Sequence, residues 1–135
     1  MDSNITFIAI TFRKDSVLFL KRNQEPKCWG PPSGHLKIGE RIEDAIHREM
    51  EEETGLKCRI LMPVSVWQGP HRGQEVFNVT YICESCDGEV QLSEEHSEWR
   101  WVPLVELDRF KDETVLELDW WPAWIRLARE FKADA

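Results

Sequence analysis

The sequence predicts an α/β/α sandwich built around a central mixed β-sheet. The first predicted strand, Ile5–Arg13, is apolar on both of its faces, with Ile5, Phe7 and Ala9 on one and Ile8, Ile10 and Phe12 on the other. A strand of that kind belongs to a sheet covered on both sides. Two longer segments, Arg41–Thr54 and Asp119–Phe131, carry helical spacing of apolar residues. The remaining apolar stretches are short, rich in β-branched and aromatic residues, and separated by turn formers. Two helices and five or six strands fit helices packed on the two faces of one sheet.

Taken in order, Ile5–Arg13 and Val17–Arg22 pair through a polar Lys-Asp-Ser turn. Cys28–Glu40 reads as loop, because two prolines and three glycines fall within it. Arg41–Thr54 then forms a helix that Gly55 closes as a left-handed cap, with Leu56 packing behind it. Further strands are predicted at Arg59–Trp67, Glu75–Cys83, Glu89–Leu92 and Glu98–Val102, with Gln68–Gln74 as the loop between two of them. Asp119 caps the final helix, whose first turn tolerates Pro122. Trp121, Trp124, Ile125, Ala128 and Phe131 make its core stripe.

At 135 residues the chain reads as a single domain, residues 1–135, large enough to bury a core. No apolar run approaches a membrane span and no basic leader precedes an apolar segment, so a cytoplasmic protein is expected. The net charge of −8 argues against bulk nucleic-acid or anionic-membrane binding. That charge is local: Glu40–Glu53 holds seven acids and two arginines, hence −5 of the −8. Of the four cysteines, Cys83 and Cys86 form a CxxC, but Cys28 and Cys58 supply no second one, so reduced thiols are expected over a zinc site.

The helix end at 48–55, Arg-Glu-Met-Glu-Glu-Glu-Thr-Gly, is physically odd. Unsatisfied carbonyls give a helix C-terminus partial negative charge, and like charges one turn apart repel. On a helical wheel Glu49, Glu52 and Glu53 continue the apolar stripe of Ile42, Ala45 and Ile46, whereas Glu51 and Asp44 fall opposite, toward solvent. A solvated charged face does not explain three carboxylates on the packing side. A cation does.

From Gly34 the chain reads glycine, five residues, Glu40, seven residues, Arg48-Glu49, an apolar residue, any residue, Glu52-Glu53, any residue, Gly55 and an apolar residue. This resembles the signature of the Nudix hydrolase family at every fixed position, over residues 34–56. The upstream Trp-Gly-Pro-Pro-Ser-Gly is similar to the family's approach to that box, with Ser33 where glycine is commoner, and Ser93–Leu107 is similar to its later acidic loop and strand.

The resemblance implies a Nudix-type sandwich and a role for each box residue. Glu49, Glu52 and Glu53, with the Gly34 carbonyl, would hold Mg²⁺ or Mn²⁺, hard cations that favour oxygen ligands. Arg48 would pair with Asp44, Glu52 or Glu40 to keep the carboxylates in register. The implied reaction is hydrolysis of a diphosphate linkage in a nucleoside diphosphate joined to another group. Glu49 is the first candidate to accept the proton, and an acid of the later loop, Glu94, Glu95 or Glu98, is the rival, with Glu95 slightly ahead of Glu94. Trp29, Trp67, Phe77 and Arg72 are candidates to contact the substrate, the aromatics by stacking and Arg72 by phosphate pairing. A compact chain suits a nucleoside triphosphate pyrophosphohydrolase; an ADP-ribose or nucleotide-sugar pyrophosphatase and a non-catalytic nucleotide sensor are the alternatives. Pro70 lies one or two residues off the spacing associated with ADP-ribose hydrolysis. A homodimer is compatible with the family.

Overall fold

The computed structural model describes residues 1–71, 73–85, 87–110, 113, 126 and 130. The elements run β1 (Asp2–Arg13), β2 (Ser16–Arg22), β3 (Trp29–Gly30), β4 (Ser33–Lys37), α1 (Ile42–Thr54), β5 (Arg59–His71), β6 (Gln74–Glu84) and β7 (His96–Pro103). A 3₁₀ turn at Leu104–Glu106 leads into the short α2 (Leu107–Phe110). One mixed sheet joins the seven strands in the path β3-β2-β1-β6-β5, with β4 also on β1 and β7 on β2. β1 and β6 are parallel and the other pairs antiparallel.

One edge of β1 is shared between two partners. Its C-terminal end pairs with β2 at Phe12 and Arg13, and its N-terminal part pairs with β4 from Asp2 to Ile8. Ala9 sits at the fork, donating to the Pro32 carbonyl at 2.8 Å. β4 is thereby splayed from β2, and α1 lies over its Gly34.

The two-sided first strand has the consequence expected of it. On one face Phe7, Ala9, Leu18 and Leu20 pack against Ala45, Ile46 and Met50 of α1. On the other, Ile10, Phe12, Phe19 and Ile82 pack with Leu107 and Phe110. Burying Val, Leu, Ile, Phe and Met side chains stabilises by roughly 1.5–3 kcal/mol each, so the first layer holds α1 on the sheet and the second holds Leu107 and Phe110 there.

Four sequence expectations need correction. Ser33–Lys37, read as loop, is β4, since a backbone that offers its edge to β1 forms a strand despite Gly34. Residues 68–71 are not loop but extend β5, and β6 starts at Gln74, with Gly73 at φ 78° in the tight turn between them. Glu89–Leu92 pairs with no described strand; Gln91 instead donates to the Thr54 carbonyl at 2.8 Å and seals the end of α1. Trp29, a candidate for stacking on substrate, is buried. It is 6% exposed, edge-on to Phe110 at 5.7 Å and covered by the Arg100 guanidinium at 4.9 Å. The helix expected at 119–131 with its tryptophan stripe, Arg72 and Cys86 lie outside the described residues. Among the described residues no helix is long and apolar enough to cross a membrane.

Ile46 is fully buried at the α1–sheet contact. Ile46→Ala should cost about 2–5 kcal/mol in urea unfolding, the range for deleting a packed aliphatic side chain. A cost under about 1 kcal/mol would mean that α1 is not held by this layer.

Candidate functional site

The site is assembled around the C-terminal half of α1. Gly55 closes that helix with φ 70°, its N–H donating to the Glu51 carbonyl at 3.0 Å, a conformation that side chains resist. The last turn contains no basic residue, so the only cation α1 offers its carboxylates there is Arg48, one turn earlier.

One guanidinium organises them. Arg48 forms a two-point pair with Glu40, Nε to Oε2 at 2.8 Å and Nη2 to Oε1 at 3.0 Å. Its Nη1 donates to Glu49 Oε1 at 2.7 Å and, more weakly, to Glu52 Oε2 at 3.5 Å. Nη2 also reaches the His35 carbonyl on β4 at 3.2 Å. Of the three partners foreseen, Glu40 and Glu52 are engaged. Hydrogen bonds from Arg48 and from the Lys37 backbone N–H hold the Glu40 carboxyl down at about 2, below the usual range. The same Glu40 contact raises the Arg48 pKa further, so its charge is permanent.

Gly34 and Glu49 touch so closely that a Cβ on Gly34 would stand 2.7 Å from Glu49 Cγ. No side chain fits there, so glycine in this register sets the rotamer space of Glu49. Glu53 is the most buried of the acids, only 6% exposed, and its Oε2 is buried without a hydrogen-bond partner. Burial first, then the charge of Glu49 and a side-chain hydrogen bond with it, and last the charges of Glu95 and Glu52, push its carboxyl up to about 9. Glu51 is exposed on the far side of the helix.

Across from the helix the chain at 93–95 closes a cleft of about 310 Å³ lined by Glu49, Glu52, Glu53, Ser93, Glu94 and Glu95. That turn is tied down from both sides. Asn23, just past β2, donates its backbone N–H to the Glu95 carbonyl at 2.9 Å and its side-chain amide to the Glu94 carbonyl at 3.2 Å. Ser93 accepts from the Glu95 N–H at 3.3 Å, and its own N–H reaches the Glu53 carbonyl at 3.4 Å. Sequence reasoning missed Asn23 and Ser93. An asparagine after a strand looks like any turn residue, and only the meeting of segments seventy residues apart reveals its use.

The structure thus brings Glu95 and Glu94 to the box acids and separates Glu98, which pairs with Lys21 at 3.3 Å on the neighbouring strands. Trp67 and Phe77 are 43% and 44% exposed on the β5–β6 hairpin and line no part of this cleft. Trp67 stands opposite Asn78 and Gln68 opposite Phe77, so the two aromatics point to opposite faces of the hairpin.

Among the described residues no three acidic, histidine or cysteine side chains converge at ligating distance as they stand, with Arg48 drawing Glu49 and Glu52 to itself. The donor set nevertheless fits a hard divalent cation. Every cleft acid offers oxygen, Ser93 adds another, and the unpartnered Oε2 of Glu53 is a buried acceptor without a donor.

Comparison with known proteins finds a family profile, sequence relatives and solved structures that match the chain. The family profile described as the NUDIX domain matches residues 2–120. A Methanocaldococcus jannaschii protein named ADP-ribose pyrophosphatase is 28% identical over 105 residues, covering 75% of this chain and 62% of that protein, so the match spans under two thirds of the relative's length. A Pelagibacter ubique RNA pyrophosphohydrolase is 28% identical over 117 residues, covering 70% of this chain and 73% of that one. Among solved structures, a C. elegans Ap4A hydrolase in a binary complex aligns with a TM-score of 0.81 at 23% identity, over 97% of this chain and 98% of that chain, which shows a shared fold.

The buried acid makes a pH-dependent prediction for the metal-free protein. Unfolded Glu53 ionises near 4.5, whereas the folded group ionises near 9. Between those values the folded state alone keeps the proton, so stability falls as pH rises through the window and levels above it. In EDTA, Glu53→Gln should therefore raise Tm by several degrees at pH 8 and by little at pH 5. A Tm gain independent of pH, or a loss at pH 8, would contradict the burial of an unpaired carboxylate.

Proposed function

The chain belongs to the NUDIX domain family, and from that premise we propose that it hydrolyses a diphosphate linkage in a nucleoside diphosphate joined to a second group, with Mg²⁺ or Mn²⁺ bound. The observation that carries this reading is the buried, partnerless Oε2 of Glu53 beside a cleft walled by Glu49, Glu52, Glu94 and Glu95. Glu49, Glu52 and Glu53 are the acids that would hold the ion, with the Gly34 carbonyl as backbone ligand. When bound, a divalent ion there neutralises phosphate charge and lowers the pKa of a water poised for in-line attack.

The chain's own residues do the rest. Arg48 fixes Glu49 through a 2.7 Å hydrogen bond and anchors it to Glu40, which sets the direction from which the carboxylate faces substrate. Pre-set donors and acceptors spare the site a reorganisation cost during the reaction. Glu95 is the proposed proton acceptor, held on a turn that Asn23 clamps; Glu49 is the alternative. Trp67 or Phe77, which face opposite sides of the β5–β6 hairpin, and Arg72 remain proposed contacts for the part of the substrate that extends beyond the cleft.

For the second group, a nucleoside triphosphate cleaved to monophosphate and pyrophosphate is the first reading, since Pro70 is offset from the ADP-ribose spacing. ADP-ribose is the second, favoured by the printed name of the archaeal relative.

A panel of nucleoside triphosphates, ADP-ribose, nucleotide sugars and dinucleoside polyphosphates, assayed with Mg²⁺, Mn²⁺ or EDTA, tests the proposal. Metal-dependent release of phosphate-bearing products is expected; binding without turnover would make the protein a nucleotide sensor. Glu52→Gln and Glu53→Gln should each lower kcat on the order of a hundredfold or more, as loss of a metal ligand does. The exposed Glu51→Gln should change it by less than about twofold. Glu95→Gln should abolish the acidic limb of the kcat–pH profile, and an unaltered limb would assign the base to Glu49.

A further inference from the structure

The flank of α1 turned away from the acidic cleft carries a second set of ligating atoms. Glu43 and His47 are exposed there one helical turn apart, so their side chains are neighbours. Past the Gly55 cap, half-buried Cys58 comes to rest beside the helix, its Sγ 3.9 Å from His47 Nδ1 across eleven positions of sequence. All three residues line one groove of about 430 Å³ between α1 and the β5–β6 pair, with Met62 and Tyr81 among its other walls. Arg59, also at the groove, is drawn to Glu84 at 2.8 Å.

We propose that Cys58, His47 and Glu43 form a second metal site, which takes Zn²⁺ rather than Mg²⁺. Distance is the first support. A zinc ion bound to a thiolate at ~2.3 Å and to an imidazole nitrogen at ~2.0–2.1 Å, with a tetrahedral angle between them, holds sulfur and nitrogen about 3.6 Å apart. The observed 3.9 Å is close to that separation, and a small rotation of either side chain closes the gap. Only these two atoms stand at ligating separation, since among the described residues no group of three converges. Glu43, exposed on the same wall, completes the set by turning its side chain, and water takes the fourth position in the open groove.

Charge and softness select the ion. The Cys58 thiolate and the Glu43 carboxylate balance two positive charges, and a neutral His47 adds none. Thiolate and imidazole ligands suit zinc, whereas the cleft on the other flank of α1 offers only oxygen and suits Mg²⁺ or Mn²⁺. One helix therefore separates two sites of different ligand chemistry. Binding expels the Cys58 thiol proton to solvent and leaves the imidazole proton on Nε2. The sequence carries no motif for this site, because Cys58 and His47 meet only through the fold.

The test titrates the full, reduced, metal-free chain with Co²⁺, a spectroscopic stand-in for Zn²⁺, in an excess of Mg²⁺ that occupies oxygen-only sites. Co²⁺ should bind with a thiolate-to-metal charge-transfer band in the near ultraviolet, and Zn²⁺ should displace it. Cys58→Ser should abolish the band, and His47→Ala should weaken binding about tenfold or more. Glu53→Gln, which alters only the acidic cleft, should leave the band in place. In the wild type, Zn²⁺ should slow alkylation of Cys58 by iodoacetamide about tenfold or more, read by peptide mapping, a measurement that no folding failure of a variant can spoil. A titration without the charge-transfer band, a band that survives in folded Cys58→Ser, or alkylation of Cys58 that Zn²⁺ does not slow would overturn the proposal.

Discussion

A carboxylate buried without a donor is the constraint around which this structure is arranged. Glu53 sits on the packing side of α1, in line with Ala45, Ile46 and Met50, and its Oε2 is buried without a hydrogen-bond donor. Leaving such a group unpaired costs roughly 1–3 kcal/mol, and more if it is charged. Natural folds retain a cost of that kind where function uses it. Everything near Glu53 concentrates negative charge further, through Glu49, Glu52 and Glu95, and no basic residue in the last turn of α1 relieves it.

Arg48 shows how the fold tolerates this density. A planar guanidinium with five donors can serve several carboxylates at fixed angles, which an ammonium cannot. Here it joins Glu40, before the helix, to Glu49 and Glu52 within it, and borrows the His35 carbonyl from β4. The loop before α1, the fork strand and the helix end thus become one rigid unit. The opposite wall is rigid for a separate reason, the clamp of Asn23 on Glu94 and Glu95. The Oε2 of Glu53, which no guanidinium or backbone donor reaches, is the oxygen proposed to meet a cation.

Much of this was legible in the sequence because it is local. Helical periodicity placed α1 within one residue of its observed start, and the same wheel turned Glu53 inward and Glu51 outward, as the structure has them. Glu52, set on the same inner stripe by the wheel, is instead largely exposed, since it lies at the edge of the stripe in the final turn. What could not be read locally depends on distant partners. β4 contains Ser33, Gly34 and His35 and looks like loop until β1 offers it an edge. Val90 and Leu92 alternate as in a strand, yet they pack under α1 beside Leu56, and the backbone between them bonds to Thr54. Trp29 gave no sign that Arg100 and Phe110, seventy and more residues away, would enclose it.

The central claim is that the acidic end of α1 exists to hold a divalent ion. Titrating the protein with Mn²⁺ alone, without nucleotide, and counting bound ions by electron paramagnetic resonance tests it most directly. Saturable Mn²⁺ binding that Mg²⁺ displaces, and that disappears in Glu53→Gln, is the predicted result. Mn²⁺ that stays free in the presence of the wild type, or that binds Glu53→Gln equally well, would contradict the account.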